Sequence, residues 1–337
     1  MPHSASSRTL TPAVAIPARD EAERLPDLLA SLAGQSWLGG SRVRLPVHIV
    51  LNNTTDQSAD VIRRSAKAHP RLDIRVCERI YPPRDAHVGS ARRLAMGLAL
   101  QGFGSDARGV VLTTDADARP DPDWIASNLA AIAGGADVVG GRIIGDPAEE
   151  AALGPGFRRR ARDQHRYTAL CDQLTAAIDP LPHDPWPRHR DHTGASLAVT
   201  ADALAAVGGL PALPFREDLA LVSRLRAAGF RLVHPETVRV GVSARLNGRA
   251  PGGMADCLKT WIDAEAQGRP HRVEEPAAVV ARALCRRAFR DRDGPHAAAL
   301  IERWAADDPD APGVVPVLDA IVELEDLIAR RVAQDVW

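Results

Sequence analysis

What most limits the fold of this chain is an alternation in its first half. Residues 13–16, 47–51, 74–77 and 110–113 are short apolar runs rich in Val, Ile and Leu. Each is the length of a strand and too short for a buried helix. Between them, residues 21–32, 58–68 and 89–100 follow helical spacing, with Leu25, Leu28, Leu29 and Leu32 on one face of the first. A strand–helix–strand rhythm predicts an α/β fold, Rossmann-like, with a mostly parallel sheet flanked by helices on both faces. Ligands of such sheets sit beyond the carboxyl ends of the strands. Three polar clusters fall there: Arg19-Asp20-Glu21, Asn52-Asn53 and Asp115-Ala116-Asp117.

Farther along, residues 124–133 read as a helix and 137–144 as one strand. From 145 to 192 Pro and Arg become dense, and His165, His183, His189 and His192 all occur there. Residues 157–178 suit a helix and 179–190 a Pro-rich loop. Residues 194–200 are small and apolar, and 201–207 look helical. Glu217-Asp218 opens an amphipathic stretch over 219–228, where carboxylates complement a helix N-terminus. Two short strands are expected around Pro235. Beyond 253 the chain is Ala-rich and helical. Its last segment, 314–332, carries Val314, Leu318, Ile321, Leu324, Leu327 and Ile328 at helical spacing, a face for the main domain or for the second subunit of a homodimer.

Composition removes several classes of function. With 337 residues and 45% apolar content, a sizeable core can be buried. The formal charge of −1 gives the chain no overall attraction to nucleic acid or anionic lipid. Forty of the 42 basic residues are Arg, all but Lys67 and Lys259, and arginine forks suit phosphate and carboxylate. Cys77, Cys171, Cys257 and Cys285 lie far apart with no CxxC pair, against a zinc module or disulfide framework. No run of 18 apolar residues predicts a transmembrane segment, and residues 1–11 lack a signal-peptide core, so a cytoplasmic location is expected.

The acidic triplet carries the chemistry. A nucleoside diphosphate leaving group needs its developing charge neutralised, which a divalent cation held by carboxylates can do as a Lewis acid. Two Asp residues around one small residue, directly after a strand, can reach a metal and a ribose from one loop. In a chain with 43 acidic residues such a triplet is common, so its position after the fourth apolar run decides its meaning.

The run Ala13-Val14-Ala15-Ile16-Pro17-Ala18-Arg19-Asp20-Glu21 resembles the opening of the family 2 glycosyltransferases, which have the GT-A fold. Asn52-Asn53-Thr54-Thr55-Asp56 is similar to that family's base-binding turn, which often has Asp where this chain has Asn. His87-Val88-Gly89-Ser90-Ala91-Arg92-Arg93-Leu94-Ala95 resembles the segment before its third conserved helix. Thr113-Thr114-Asp115-Ala116-Asp117 is similar to its metal-binding DxD motif, and Glu217-Asp218-Leu219-Ala220-Leu221 to its acceptor-side acidic motif. The five motifs keep the family's order across residues 11–245.

The resemblance implies metal-dependent transfer of a sugar, of the hexosyl class, from a nucleotide-sugar to an acceptor hydroxyl. Pro17, Ala18, Arg19 and Glu21 would line the nucleotide pocket, and Asn52 or Asn53 would hydrogen-bond the base. Arg92 or Arg93 would face base or phosphates. Asp115, beside Ala116, would contact ribose or metal, and Asp117 would ligate Mg2+ or Mn2+. Asp218 would be the general base of an inverting displacement, with Glu217 orienting it or binding acceptor. Arg245 or Arg249 could close over the diphosphate, and His192-Thr193-Gly194 could touch the acceptor. His234 is the nearest candidate for a further metal ligand, and its place before Pro235 favours a structural role.

The acceptor stays open between small molecule, lipid-linked carrier and glycan. The expected domains are a GT-A domain over 11–250, divided into a nucleotide half (11–120) and an acceptor half (121–250), and a helical C-terminal extension over 254–337. A nucleotidyltransferase or dehydrogenase would show a Gly-rich loop after the first strand, and Pro17-Ala18-Arg19-Asp20 is not one. A non-catalytic nucleotide-sugar-binding or scaffolding protein, and a retaining transferase on the same fold, are the other readings.

Overall fold

A computed structural model describes residues 9–39, 43–104, 108–248, 253–293 and 313–334. The chain divides into two compact units. One comprises residues 1–144, 191–225 and 230–242; the other comprises 145–190, 226–229 and 243–337.

The first unit is built on seven strands. In chain order these are β1 (Leu10–Ala18), β2 (Leu45–Asn52), β3 (Leu72–Arg79), β4 (Arg108–Thr113), β6 (Val138–Gly140), β8 (Leu197–Thr200) and β9 (Leu232–Val233), counting β5 (Ala118–Pro120), β7 (Arg142–Gly145) and β10 (Arg239–Val242) in a smaller sheet. The large sheet has the order β3-β2-β1-β4-β8-β6-β9, and the small one β5-β10-β7. β1 lies parallel to β2 and to β4, and β2 parallel to β3. β8 is antiparallel to both β4 and β6, and β6 is parallel to β9. Six of the seven strands therefore point one way. β8 starts at the edge where the others end.

The helices of this unit are α1 (Leu25–Ala33), α2 (Ser36–Gly39), α3 (Ser58–Ala68), α4 (Val88–Gln101), α5 (Trp124–Ala133), α8 (Ala201–Ala206) and α9 (Glu217–Ala227), with α6 (Pro147–Ala152) and α7 (Pro155–Ile178) belonging to the other unit. Side chains of a strand alternate between faces, and β1 uses both. Val14 and Ile16 join Leu25, Leu28, Leu29, Leu32, Trp124 and Ile125 in one core. Ala13 and Ala15 join Ala91, Ala95, Met96 and Ala99 of α4 in the other. Alanine on both partners brings α4 close to the sheet, which seats its N-terminal residues at the carboxyl edge.

Several expected boundaries shift for physical reasons. The first helix starts at Leu25, because residues 21–24 form a turn in which the Arg24 and Leu25 N–H groups both donate to Glu21 O. The single strand expected over 137–144 is two strands in different sheets. The chain changes sheet at Gly141, where a Cβ would lie 2.0 Å from Ser196 Oγ. Gly141 N–H donates to Ser196 O and Arg142 N–H to Val238 O. The last helix begins at Val317, since Val314–Pro316 is a strand. Its buried face is Val317, Ala320, Ile321 and Leu324, whereas Leu318 is exposed.

In the second unit the long helix α7 packs Tyr167, Cys171, Leu174 and Ile178 against α11 (Pro276–Asp293) and the helix Val317–Gln334. Phe157 packs with Leu258 and Trp261 of α10 (Met254–Ala266). Strands β11 (Arg272–Glu274) and β12 (Val314–Pro316) pair antiparallel beside them. Buried Asp179 at the end of α7 is held by Arg286 and Arg290 of α11. Among the described residues no helix is long and apolar enough to cross a membrane.

His48 on β2 is buried with Nε2 lacking a partner. Burial, helped by Arg75 and opposed by Asp73, lowers its pKa from the ordinary value. Below about pH 6.5 the unfolded chain gains a proton here that the folded chain refuses, so this part of the stability is present above that pH and lost on acidification. Replacing His48→Leu should shrink the difference between unfolding free energies measured in urea at pH 7.5 and pH 5.5. An equal difference in the variant would show that the acid sensitivity lies elsewhere.

Candidate active site

The loops at the carboxyl edge are tied to one another by short polar side chains. Asp20, just after β1, has φ 52°, a left-handed conformation that aspartate tolerates better than most residues. Its Oδ1 accepts from Thr55 N (2.7 Å), Thr55 Oγ1 (3.2 Å) and Asp56 N (3.3 Å) in the turn after β2. Asp56 answers with Oδ2, which accepts from Ala22 N at 2.9 Å, and with Oδ1, which accepts from Ser58 N and Oγ. Glu21 is buried, and its N–H donates to Ser58 Oγ at 3.0 Å. Pro17 and Ala18 are the buried last residues of β1, in register with Val50 and Leu51. Arg19 Nη1 donates to Ala86 O at 3.3 Å, linking this turn to the segment before α4.

The two asparagines separate by role. Asn53, at φ 50°, spends its whole amide on one residue: Nδ2 donates to Tyr81 O and Oδ1 accepts from Tyr81 N, both at 3.0 Å. Its own N–H donates to Arg79 O at 2.8 Å. Asn52 is 3% exposed; its Nδ2 donates to His87 O at 3.0 Å, while Oδ1 is buried without a protein partner. Thr54 Oγ1 is in the same condition. Buried acceptors without partners are costly and uncommon. Tyr81, whose hydroxyl donates to Ser90 O at 3.4 Å, had no sequence signal. It follows the third strand in a turn without repeat or motif.

α4 begins at the same edge. His87 is its N-cap, accepting from Ser90 N through Nδ1 at 3.3 Å. Gly89 allows the backbone of Leu213 to lie against the helix start, since a Cβ there would be 2.0 Å from Leu213 O. One residue pair on α4 then diverges. Arg93 is exposed and donates Nη1 to Leu210 O at 2.6 Å. Arg92 is 3% exposed and turns inward. Its Nε donates to Glu217 Oε1 (3.0 Å), Nη1 to Thr113 Oγ1 (3.0 Å) and Gly194 O (2.8 Å), and Nη2 to Asp115 Oδ1 (2.6 Å).

Around this guanidinium are the acidic motifs. Asp115 and Asp117 are half-buried in the turn after β4, closed by Ala118 N–H donating to Asp115 O at 3.2 Å, with Ala116 buried between them. Thr114 Oγ1 donates to Ala195 O at 2.8 Å, fastening this turn to the segment before β8. Glu217 is 4% exposed as the first residue of α9. Asp218 Oδ2 accepts from Gly194 N at 2.6 Å and Oδ1 from Leu219 N at 2.7 Å. Arg216, directly before them, has φ 54° and turns the chain into the helix. Burial opposes the charge on Arg92, yet Asp115, Glu217 and Asp218 outweigh it and raise the pKa. Burial pushes the Glu217 carboxyl up, against the pull of Arg92 and with help from Asp218.

His192 Nδ1, in the segment before β8, and His234 Nε2, directly after β9, lie 3.1 Å apart as a hydrogen-bonded pair. Gly140 makes room for them: a Cβ there would meet His192 Cβ at 2.9 Å and His234 Cδ2 at 3.0 Å. Thr193 O accepts from Ser196 N at 3.1 Å. Arg245 belongs to the second unit, where its N–H donates to Ser243 Oγ at 3.2 Å, and Arg249 lies outside the described residues.

Among the described residues, no group of three or more His, Cys, Asp or Glu side chains is gathered to hold a metal. A hard divalent ion does not need one: Mg2+ is commonly held by one or two carboxylates with the rest of its shell from phosphates and water. Asp115 and Asp117 offer that donor set. The Arg92 guanidinium faces the carboxylates of Asp115, Glu217 and Asp218.

A sequence profile described as Glycosyl transferase family 2 matches residues 13–181. No curated protein matches the chain in sequence. Among solved structures, the chain is similar to the mannosyltransferase PcManGT from Pyrobaculum calidifontis, solved in complex with GDP-Man and Mn2+. That match has 18% identity and a TM-score of 0.48, covering 97% of this chain and 87% of that one. It is also similar to TarS residues 1–349 from S. aureus in complex with UDP, with 16% identity and a TM-score of 0.50, covering 83% and 71%.

Asn53→Ala should cost about 2–3 kcal/mol, since two hydrogen bonds at about 1 kcal/mol each are lost and a left-handed residue loses its polar support. Urea unfolding would measure it. A loss below about 0.5 kcal/mol would mean the Tyr81 turn does not depend on this amide.

Proposed function

This chain belongs to glycosyl transferase family 2 and is a glycosyltransferase, and from that premise we propose an inverting, metal-dependent transfer with Asp218 as general base. The donor is a nucleoside diphosphate sugar and the acceptor carries a hydroxyl group. Asp218 removes the hydroxyl proton as that oxygen attacks the anomeric carbon. The bond from the anomeric carbon to the diphosphate oxygen breaks in the same step, so the nucleoside diphosphate leaves and the configuration inverts.

The observation that carries this reading is the setting of Asp218. Both its oxygens are aimed by backbone N–H groups of Gly194 and Leu219, which fixes the carboxylate in one orientation. Catalytic carboxylates need such preorganisation. It stands on the first turn of α9, beside the backbone N–H groups of the helix start.

On the donor side, Asp117 with Asp115 would hold Mg2+ or Mn2+. The ion, when bound, neutralises charge on the departing diphosphate. Asp115 would also contact the ribose. Of the two asparagines, Asn52 is the better candidate for the base, because Asn53 has both amide groups committed to Tyr81. Pro17, Ala18, Arg19 and Glu21 remain the proposed wall of the nucleotide pocket. His192, Thr193 and Gly194, the last bonded to Asp218, remain the proposed acceptor contacts.

A donor screen by thermal shift with Mn2+ and nucleotide-sugars identifies the ligand, since specific binding raises apparent stability. With that donor, Asp218→Asn should lower transfer by about a thousandfold while calorimetric affinity for the nucleoside diphosphate stays within about twofold. Asp117→Asn should instead remove the metal-dependent part of that affinity. Product with retained configuration, read from the anomeric proton by NMR, would remove Asp218 from the base role.

A further inference from the structure

Family resemblance puts Arg92 or Arg93 on the base or phosphates, but the surroundings of Arg92 lead in another direction. The side chain is buried, and four hydrogen bonds to protein groups consume most of its five N–H donors. One acceptor is Gly194 O. The N–H of the same residue donates to Asp218 Oδ2 at 2.6 Å. Gly194 therefore holds Arg92 on its carbonyl and Asp218 on its amide. Only glycine permits this, because a Cβ at 194 would lie 2.4 Å from Arg92 Cζ and 2.5 Å from Nη2. Through Nη2 the same guanidinium reaches Asp115, and through Nε the buried Glu217.

We infer that Arg92 is a positioning residue that joins the donor-side carboxylate Asp115 to the acceptor-side base Asp218 through Gly194, with Glu217 as its buried counter-charge. This rests on the roles proposed above for Asp115 and Asp218. A rigid guanidinium shared between two carboxylates and one carbonyl cannot change one bond without adjusting the others. When Asp115 turns toward donor, its hold on Nη2 changes. The adjustment reaches the Gly194 peptide and hence the orientation of Asp218. The coupling is a free energy between two sites and acts in both directions.

Backbone amide hydrogen exchange tests this on the wild-type chain, on Arg92→Lys, and on the charge-balanced double variant Arg92→Met/Glu217→Gln. The double variant leaves no unpaired buried charge at either position and guards against simple misfolding. Each protein is measured alone and with Mg2+ plus UDP or GDP. Exchange at Gly194 and Leu219 is expected to rise about tenfold or more in both variants, while β1 and β4 keep their protection. Mg2+ with nucleotide is expected to alter Gly194 exchange in wild type and not in the double variant. Unchanged Gly194 exchange in the variants overturns the proposal. So does loss of protection spread through β1 and β4, which marks a purely structural ion pair. Gly194 loosened in the variants, with no nucleotide response in wild type, overturns the donor arm and the reading of Asp115 while supporting the link to Asp218. With a donor that is hydrolysed, Arg92→Lys should lower kcat about a hundredfold at a donor KM within about twofold. A raised KM at unchanged kcat would put Arg92 on the donor and overturn the positioning role.

Discussion

The candidate site depends on one buried guanidinium. Arg92 connects β4, the segment before β8 and the start of α9, three pieces separated by many residues in the chain. Burying a charge is expensive, and a buried ion pair is tolerated only when its remaining hydrogen-bonding groups are satisfied. Here a threonine hydroxyl, a peptide carbonyl and two carboxylates together accept from the guanidinium. Arginine suits this task because its donors form a planar fork with fixed directions, which a lysine ammonium cannot reproduce.

Glycines make that arrangement possible. Gly194 lets a peptide lie close against the guanidinium, and Gly89 lets the Leu213 backbone lie on the start of α4. At Gly141 the chain leaves the large sheet for the small one beside Ser196. The hydroxyl of Ser196 then accepts from the buried Trp124 indole at 2.8 Å. Close backbone approach, rather than side-chain bulk, brings the segment before β8 to the edge where β4 ends. The strand direction contributes as well. β8 runs against its neighbours, so its entrance, and not its exit, meets the acidic turn.

The second unit follows different rules. Its core is helix on helix, with α7 against α11 and Val317–Gln334, and its charges are paired within it, as at Asp179 and at Asp172 with Arg190. Pairing of α7 with segments more than a hundred residues downstream has no periodic signature. The apolar face of α7 is visible in sequence, but its partner is not.

The sequence by itself determined the four parallel strands of the first half and the positions of the acidic turns. Strand-length apolar runs and helical spacing are local properties, so residues 58–68 and 124–133 read as helices with the observed bounds of α3 and α5. The five motifs likewise stood out by residue type and order, and the family they resemble is the one the chain belongs to. Tertiary structure decided which members of each motif face inward. Arg92 and Arg93 are adjacent and chemically identical, yet α4 turns one into the core and leaves the other exposed at Leu210. Asn52 and Asn53 differ in the same way, because only the second is at a left-handed turn opposite Tyr81. The partner of each side chain comes from a distant segment, and distance through space is what a linear pattern does not encode.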